Sequence, residues 1–235
     1  MPISWSGIPG FDVAVLSRPR AAGGGDYHAV VAPPGADCMA VAVGDVAGHD
    51  AMAAGLMEVA GRLLRRHRVV PGRLATVMEA VNRDLIPHMR AGRFMTLFLA
   101  ALVAGDRAIH WVSAGHAPGL AYDPTADVFR EVAGPDIPLG IDPSWRFREL
   151  DHVGWATGAL LAVGTDGIWE TRAPNGAMYG KSRLARQIRA HHHRSAPDIL
   201  AAVEGDLADF RAGRTPSDDA TLMVVKAIET PPPPG

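Results

Sequence analysis

An apolar run, Met39-Ala-Val-Ala-Val43, stops at Gly44-Asp45, and a helical pattern begins soon after His49. A run this short and this apolar reads as a buried strand. An aspartate at its mouth, between Gly44 and Val46-Ala47-Gly48, is badly placed for packing and well placed to hold a hard cation. The chain repeats the device. Leu160-Leu-Ala-Val-Gly-Thr is an apolar strand running into Asp166-Gly167, and Asp218-Asp219 opens an apolar strand that reaches Val225. Asp-Gly alone is an ordinary turn former. Three acidic strand ends from distant parts of one sequence predict a metal site assembled by the fold.

The rest of the chain supplies many strands and few crossovers. Phe11–Arg18 reads as a strand, Gly23-Gly24-Gly25 as a turn, and Tyr27–Val31, opened by Asp26, as a second strand. Pro33–Asp37 turns into the strand ending at Asp45. Asp26 and Asp45 share one end of neighbouring strands if the register allows, and sequence does not fix register. Met52, Leu56, Ala60, Leu63 and Leu64 recur at helical spacing between Asp50 and Arg68, with Arg62, Arg65, Arg66 and Arg68 on a solvated face. Pro71-Gly72 ends that helix and a second runs from Arg73 to His88. Phe94–Ala104 is an uncharged strand that turns at Gly105-Asp106 into Ala108–Ser113. Short strands follow at Gly119–Tyr122 and Val128–Val132, and Trp145–Val153 alternates as a half-buried strand does. Lys181–His193 and Pro197–Ala212 read as helices, and Thr221–Ile228 as the last strand. Hairpin-joined strands with paired helices between them predict an α+β fold of antiparallel sheets covered by helices, not a parallel βαβ array.

Composition narrows the function classes. The chain has 235 residues, 48% of them apolar, which suits one globular domain with an ample core, expected over 1–230, and a proline-rich disordered tail at 231–235. A formal net charge of −2 gives no bulk attraction to nucleic acid. Cys38 is the only cysteine, so no internal disulfide forms. The N-terminus lacks a basic region and a long apolar stretch, and no run reaches the ~18 apolar residues of a membrane span. A cytoplasmic protein without membrane contact is the expectation.

Carboxylate ligands suit Mg²⁺ or Mn²⁺ better than zinc. Asp26, Asp45, Asp166 and Asp218 suffice for two cations if backbone carbonyls and water complete the shells. Two ions about 3.5–4 Å apart activate a water and clamp a phosphoryl group for in-line attack. There is no G-x-S-x-G, Walker loop or G-x-G-x-x-G to compete. His49 and His116 lack the clustered partners of a zinc site. His116 before Ala117-Pro118 reads as a turn-shaping residue, His191-His192-His193 as a solvated helix end, and Thr96 as a core residue with its hydroxyl on backbone. Arg18 and Arg20 stand ready to grip phosphate or simply face solvent.

Five motifs in order carry a family resemblance: Gly24-Gly25-Asp26-Tyr27, Gly44-Asp45-Val46-Ala47-Gly48-His49, Ala114-Gly115-His116-Ala117-Pro118, Thr165-Asp166-Gly167-Ile168-Trp169-Glu170 and Asp218-Asp219-Ala220-Thr221. Together they resemble the metal-dependent serine/threonine phosphatases of the 2C type (the PPM superfamily), in the bacterial SpoIIE/RsbU/RsbX branch, from about Asp12 to Lys226. The resemblance implies a four-layer αββα sandwich with a Mn²⁺/Mg²⁺ pair. By motif position Asp45 bridges the ions, Val46 offers its backbone carbonyl, Asp26 acts directly or through water, and Asp166 and Asp218 complete the site. It also implies a phosphorylated protein substrate, such as a STAS-domain anti-sigma-factor antagonist. Two positions depart from the pattern: Asp50 follows Gly48-His49 where glycine is usual, and Ala29 replaces a second acid after Asp26. The alternatives are a regulatory binding module of the same fold with a weakened metal site, and a phosphohydrolase acting on small molecules.

Overall fold

The computed structural model describes residues 1–5, 9–20, 24–31, 38–48, 51–89, 92–103, 106, 108–153 and 155–229. The turn expected at Pro33–Asp37, His49, Asp50, Gly105 and the proline tail lie outside them. The chain forms two compact units, one of Met1–Arg20, Gly119–Val132 and Trp155–Gly235, the other of Ala21–Pro118 and Ala133–Gly154. Each is built on one sheet, and every strand pair in both sheets is antiparallel.

The first unit contains β1 (Ile3–Trp5), β2 (Phe11–Arg18), β7 (Gly119–Asp123), β8 (Val128–Val132), β10 (Leu160–Gly164) and β11 (Ala220–Ala227), in the order β1-β2-β11-β10-β7-β8. Its helices are α3 (Asp166–Trp169), α4 (Lys181–His191) and α5 (Ala196–Arg211). Alternate residues of the central strands, Ala14, Leu16, Leu160, Ala162, Leu222 and Val224, pack with Leu184, Ile188, Ile199, Leu200 and Val203 of α4 and α5. Helix α5 starts where its first amide donors find side chains: Ala196 N–H donates to Asp12 Oδ2 (2.7 Å), and Ser195 Oγ accepts from Asp198 N–H.

The second unit contains β3 (Asp26–Val31), β4 (Cys38–Val46), β5 (Met95–Val103), β6 (Ala108–Ala114) and β9 (Leu150–Val153), in sequence order. Helices α1 (Ala51–Arg65) and α2 (Leu74–Leu85) cover one face. Leu56, Leu63, Leu74, Met78 and Val81 meet Ala42, Leu97, Leu99 and Val112 there. Burying each such side chain is worth roughly 1.5–3 kcal/mol, which outweighs the about 1 kcal/mol that Gly55 costs inside α1. Glu149 caps α2 from a distance: its carboxylate accepts the amides of Gly72 (2.6 Å) and Leu74 (2.9 Å).

Two expectations need correction, and one element was not foreseen. Trp145–Glu149 is not strand, although its pattern alternates. Its amides are used elsewhere: Trp145 N–H donates to Asp142 O (3.3 Å) and Arg148 N–H to Asp136 Oδ2 (2.9 Å). Asp166 is not a strand end either, because β10 stops at Gly164 and Asp166 opens α3. The strand β1 was not legible as a separate element.

Candidate metal-binding residues

In the second unit the register sets Asp26 directly opposite Asp45, and Thr96 of β5 opposite Asp45 on the other side. The three therefore share a face of the sheet, the one turned away from α1 and α2. Like charges on one rung repel, and a cation bound there would offset that repulsion. The loop after Asp45 supplies oxygens. A Cβ built on Gly25 would stand 2.7 Å from Gly48 O, 3.0 Å from Val46 O and 3.2 Å from Asp45 Oδ1. Only glycine admits this approach, and Val46 N–H fixes it by donating to Gly25 O (3.0 Å). The Asp45 carboxylate and the Val46 and Gly48 carbonyls thus all pack close to Gly25, and oxygens of this kind are the hard donors Mg²⁺ and Mn²⁺ take.

Residues that sequence reasoning treated as packing support this loop. Thr96 Oγ1 lies 2.9 Å from His116 Nδ1 and 3.5 Å from Asp45 O, so Thr96 bonds a side chain as well as backbone. His116 is buried, and its carbonyl accepts from Ser113 Oγ (3.2 Å), which ties the turn it shapes. Arg93, missed in the sequence, donates from Nη1 to Ala47 O (3.2 Å). Its only sequence signal is a charge just before an uncharged strand. His28, two residues beyond Asp26, is pushed by burial toward its neutral form and brings no fixed positive charge.

In the first unit Thr165 joins β10 to β11: its N–H donates to Thr221 O (2.9 Å), and Thr221 N–H donates to its Oγ1 (3.0 Å). This brings Asp166 beside Asp218. Burial raises the Asp166 carboxyl above its ordinary range, and the charges of Asp218 and Glu170 raise it further. The neighbouring aspartates divide their work. Asp219 is buried and accepts from Arg20 N–H (2.6 Å), whereas Asp218 is exposed and accepts from Asp219 N–H (2.9 Å). Asp218 is thus the accessible carboxylate of the two. Arg18 is engaged by Glu204 (Nε to Oε1, 2.7 Å).

The raised value sets a sign. The folded chain holds the Asp166 proton more tightly than the unfolded chain. The stability this gives is present below the ordinary aspartate pKa and is lost as pH rises through the folded value, so ionised Asp166 opposes folding at pH 7. Asp166→Asn is expected to raise the metal-free melting temperature by about 1–2 °C at pH 7, a gain that shrinks toward pH 4. Differential scanning fluorimetry across that range checks it.

The carboxylates thus stand as two pairs, Asp26 with Asp45 and Asp166 with Asp218, one in each unit. Among the described residues no three His, Cys, Asp or Glu side chains gather closely enough to hold one ion between them. No helix among them is long and apolar enough to cross a membrane.

Residues 35–228 match the family model described as Stage II sporulation protein E (SpoIIE). The phosphoserine phosphatase RsbU of Bacillus subtilis (strain 168) is 25% identical over 219 residues, covering 92% of this chain and 63% of RsbU, so the chain spans less than two thirds of that relative. The SiaA-PP2C domain of Pseudomonas aeruginosa aligns with a TM-score of 0.78 at 21% identity, over 91% of this chain and 85% of that one. RsbX in complex with magnesium gives 0.71 at 14% identity, over 97% of this chain and 100% of RsbX. The structural likeness shows the fold, the α+β sandwich of PP2C-type proteins. With most of its length inside the family match, the chain belongs to the Stage II sporulation protein E (SpoIIE) family.

Proposed function

We propose that this protein is a Mn²⁺- or Mg²⁺-dependent protein serine/threonine phosphatase, cytoplasmic, with two ions held by Asp26, Asp45, the Val46 carbonyl, Asp166 and Asp218. The observation that carries the reading is the β3–β4 rung that sets Asp26 against Asp45, with the Val46 and Gly48 carbonyls packed close by at Gly25. When bound, the cations supply water activation and neutralise phosphoryl charge during in-line attack on phosphorus. The chain's own groups position and hold. Gly25 leaves room for the oxygens, Arg93 steadies the Ala47 carbonyl, and Thr96 with His116 braces the backbone at Asp45.

The proposed substrate is phosphoserine or phosphothreonine on a regulatory protein such as a STAS-domain anti-sigma-factor antagonist. Support comes from the SpoIIE family match and from the phosphoserine phosphatase RsbU among the relatives. The alternative of a regulatory module with a weakened site rested on Ala29 in place of an acid. Ala29 packs with Tyr27 against the apolar cluster of the second unit, so alternation along β3 turns it away from the Asp26 side. An acid at that position would not add a ligand beside Asp26, which favours the enzyme.

The test is hydrolysis of p-nitrophenyl phosphate and of a phosphorylated STAS protein with 1 mM Mn²⁺, roughly a cofactor excess. Turnover is expected with Mn²⁺ and is expected to vanish on chelation with EDTA. Folded protein that releases no phosphate from either compound at any Mn²⁺ concentration overturns the reading.

A further inference from the structure

The first unit contains a cavity of about 290 Å³ that the catalytic reading does not use. Leu16, Ile168 and Leu207 are among its apolar lining, and three arginines, Arg172, Arg211 and Arg214, stand around it. Asp218 lines it too, so it opens beside the Asp166–Asp218 pair. The charge of a fourth lining arginine, Arg18, is met by Glu204. The remaining balance is three guanidinium groups against the one carboxylate already given a metal-holding role.

Two of the arginines are also held in place. Arg214 Nη1 donates to the carbonyls of Ala173 and Pro174, both at 3.2 Å, and Arg172 Nη1 donates to Gly176 O (3.1 Å). Each guanidinium has five N–H donors, so these bonds position the group without exhausting it. Arg211, the last residue of α5, has a buried Nε with no hydrogen-bond partner among the described residues. A buried donor without an acceptor is costly and is satisfied by an incoming one. The acceptor that suits a guanidinium fork is a carboxylate or a phosphate.

Size and lining select among anions. The volume lies at the low end of small-ligand sites, which run about 300–1,000 Å³. An apolar floor under a cationic rim suits a side chain with methylenes below and a carboxylate above. We propose that this cavity is a docking subsite for an acidic residue, glutamate above all, that flanks the phosphorylated residue of the protein substrate. The proposal rests on the phosphatase reading and adds the sequence preference of the same site. Binding energy gathered by the flanking residue would then hold the phosphoryl group in register.

The test compares phosphoserine peptides that differ only in flanking glutamates or alanines, on wild type, Arg211→Lys and Arg211→Glu, each checked for folding by circular dichroism. The wild type is expected to favour the acidic peptide by about tenfold in kcat/KM, mostly through KM, since a charge-assisted hydrogen bond is at stake. Arg211→Glu should bring that ratio to about one or below, and Arg211→Lys should keep part of it. A second arm measures fluorescence anisotropy of the unphosphorylated acidic peptide and its alanine counterpart on the same proteins. Hydrolysis without a flanking preference, or a preference that survives Arg211→Glu, overturns the proposal and leaves the phosphatase reading standing. If nothing is hydrolysed, that reading falls and the anisotropy arm decides: acidic-peptide binding lost in Arg211→Glu supports the subsite, and equal binding of both peptides overturns it. Inorganic phosphate displacing the acidic peptide with the peptide's own affinity would assign the cavity to free anions and also overturns it.

Discussion

Asp45→Asn is expected to lower Mn²⁺-dependent kcat/KM on p-nitrophenyl phosphate by at least about a thousandfold, or roughly 4 kcal/mol of transition-state stabilisation. The amide keeps the shape of the side chain and removes its charge. Asp45 stands opposite Asp26 in the β3–β4 register and contributes one of the three oxygens around Gly25. Removing one of two facing charges also relieves repulsion, so the metal-free melting temperature should hold or rise slightly. The informative result is this divergence, with activity collapsing while the fold persists. Steady-state kinetics beside thermal melts, with and without Mn²⁺, measure both. Activity within tenfold of wild type would remove Asp45 from the proposed metal site.

Gly167→Ala is the second large effect, and two contributions compete in it. Gly167 lies in α3, where alanine is the better helix former by about 1 kcal/mol. An added Cβ, however, would stand 1.8 Å from the Asp219 carbonyl oxygen. That atom belongs to backbone at the start of β11 and cannot swing aside. Overpacking of this kind costs typically 1–3 kcal/mol and sometimes more, so the clash wins. The expected outcome is a melting temperature lower by about 5–10 °C. Activity should also fall well beyond what the residual folded fraction explains, because α3 and the Asp218–Asp219 segment would part. A variant more stable than wild type would mean that helix propensity dominates and the close approach is not obligatory.

Much of this arrangement is legible in the residues because a few signals agree. Short apolar runs mark Phe11–Arg18 and Thr221–Ile228 as strands, the second observed one residue earlier as Ala220–Ala227, and periodicity of 3.6 marks α1, α2 and α5. Glycine beside aspartate marks the candidate site positions, Gly44-Asp45 near the end of β4 and Asp166-Gly167 at the start of α3. Register is not written in any local stretch, so the opposition of Asp26 and Asp45 emerges only in the paired sheet. The alternating pattern at Trp145–Glu149 misleads because alternation reports which side chains are buried, whereas strand formation depends on where amides bond. There a buried aspartate, Asp136, and the Asp142 carbonyl take amides that a neighbouring strand would otherwise have taken. Arg93 was invisible for a related reason: one arginine among 23 basic residues carries no signal until the Ala47 carbonyl is found at its tip. Nor does sequence separate Asp218 from Asp219, adjacent and chemically identical; in the fold Asp219 is buried on the Arg20 amide and Asp218 is left exposed.

Asp26 begins β3, and β3 is the outer strand of its sheet, bonded among the described residues to β4. An outermost strand whose first rung sets anion against anion is a hem with a weak stitch. In the proposed site a divalent ion at that rung would act as the clasp. Starved of ions, the hem is expected to loosen from Asp26 toward Val31, with deuterium uptake by those six amides tracking free cation concentration. Divalent supply would thus be written into the firmness of a sheet margin as well as into turnover.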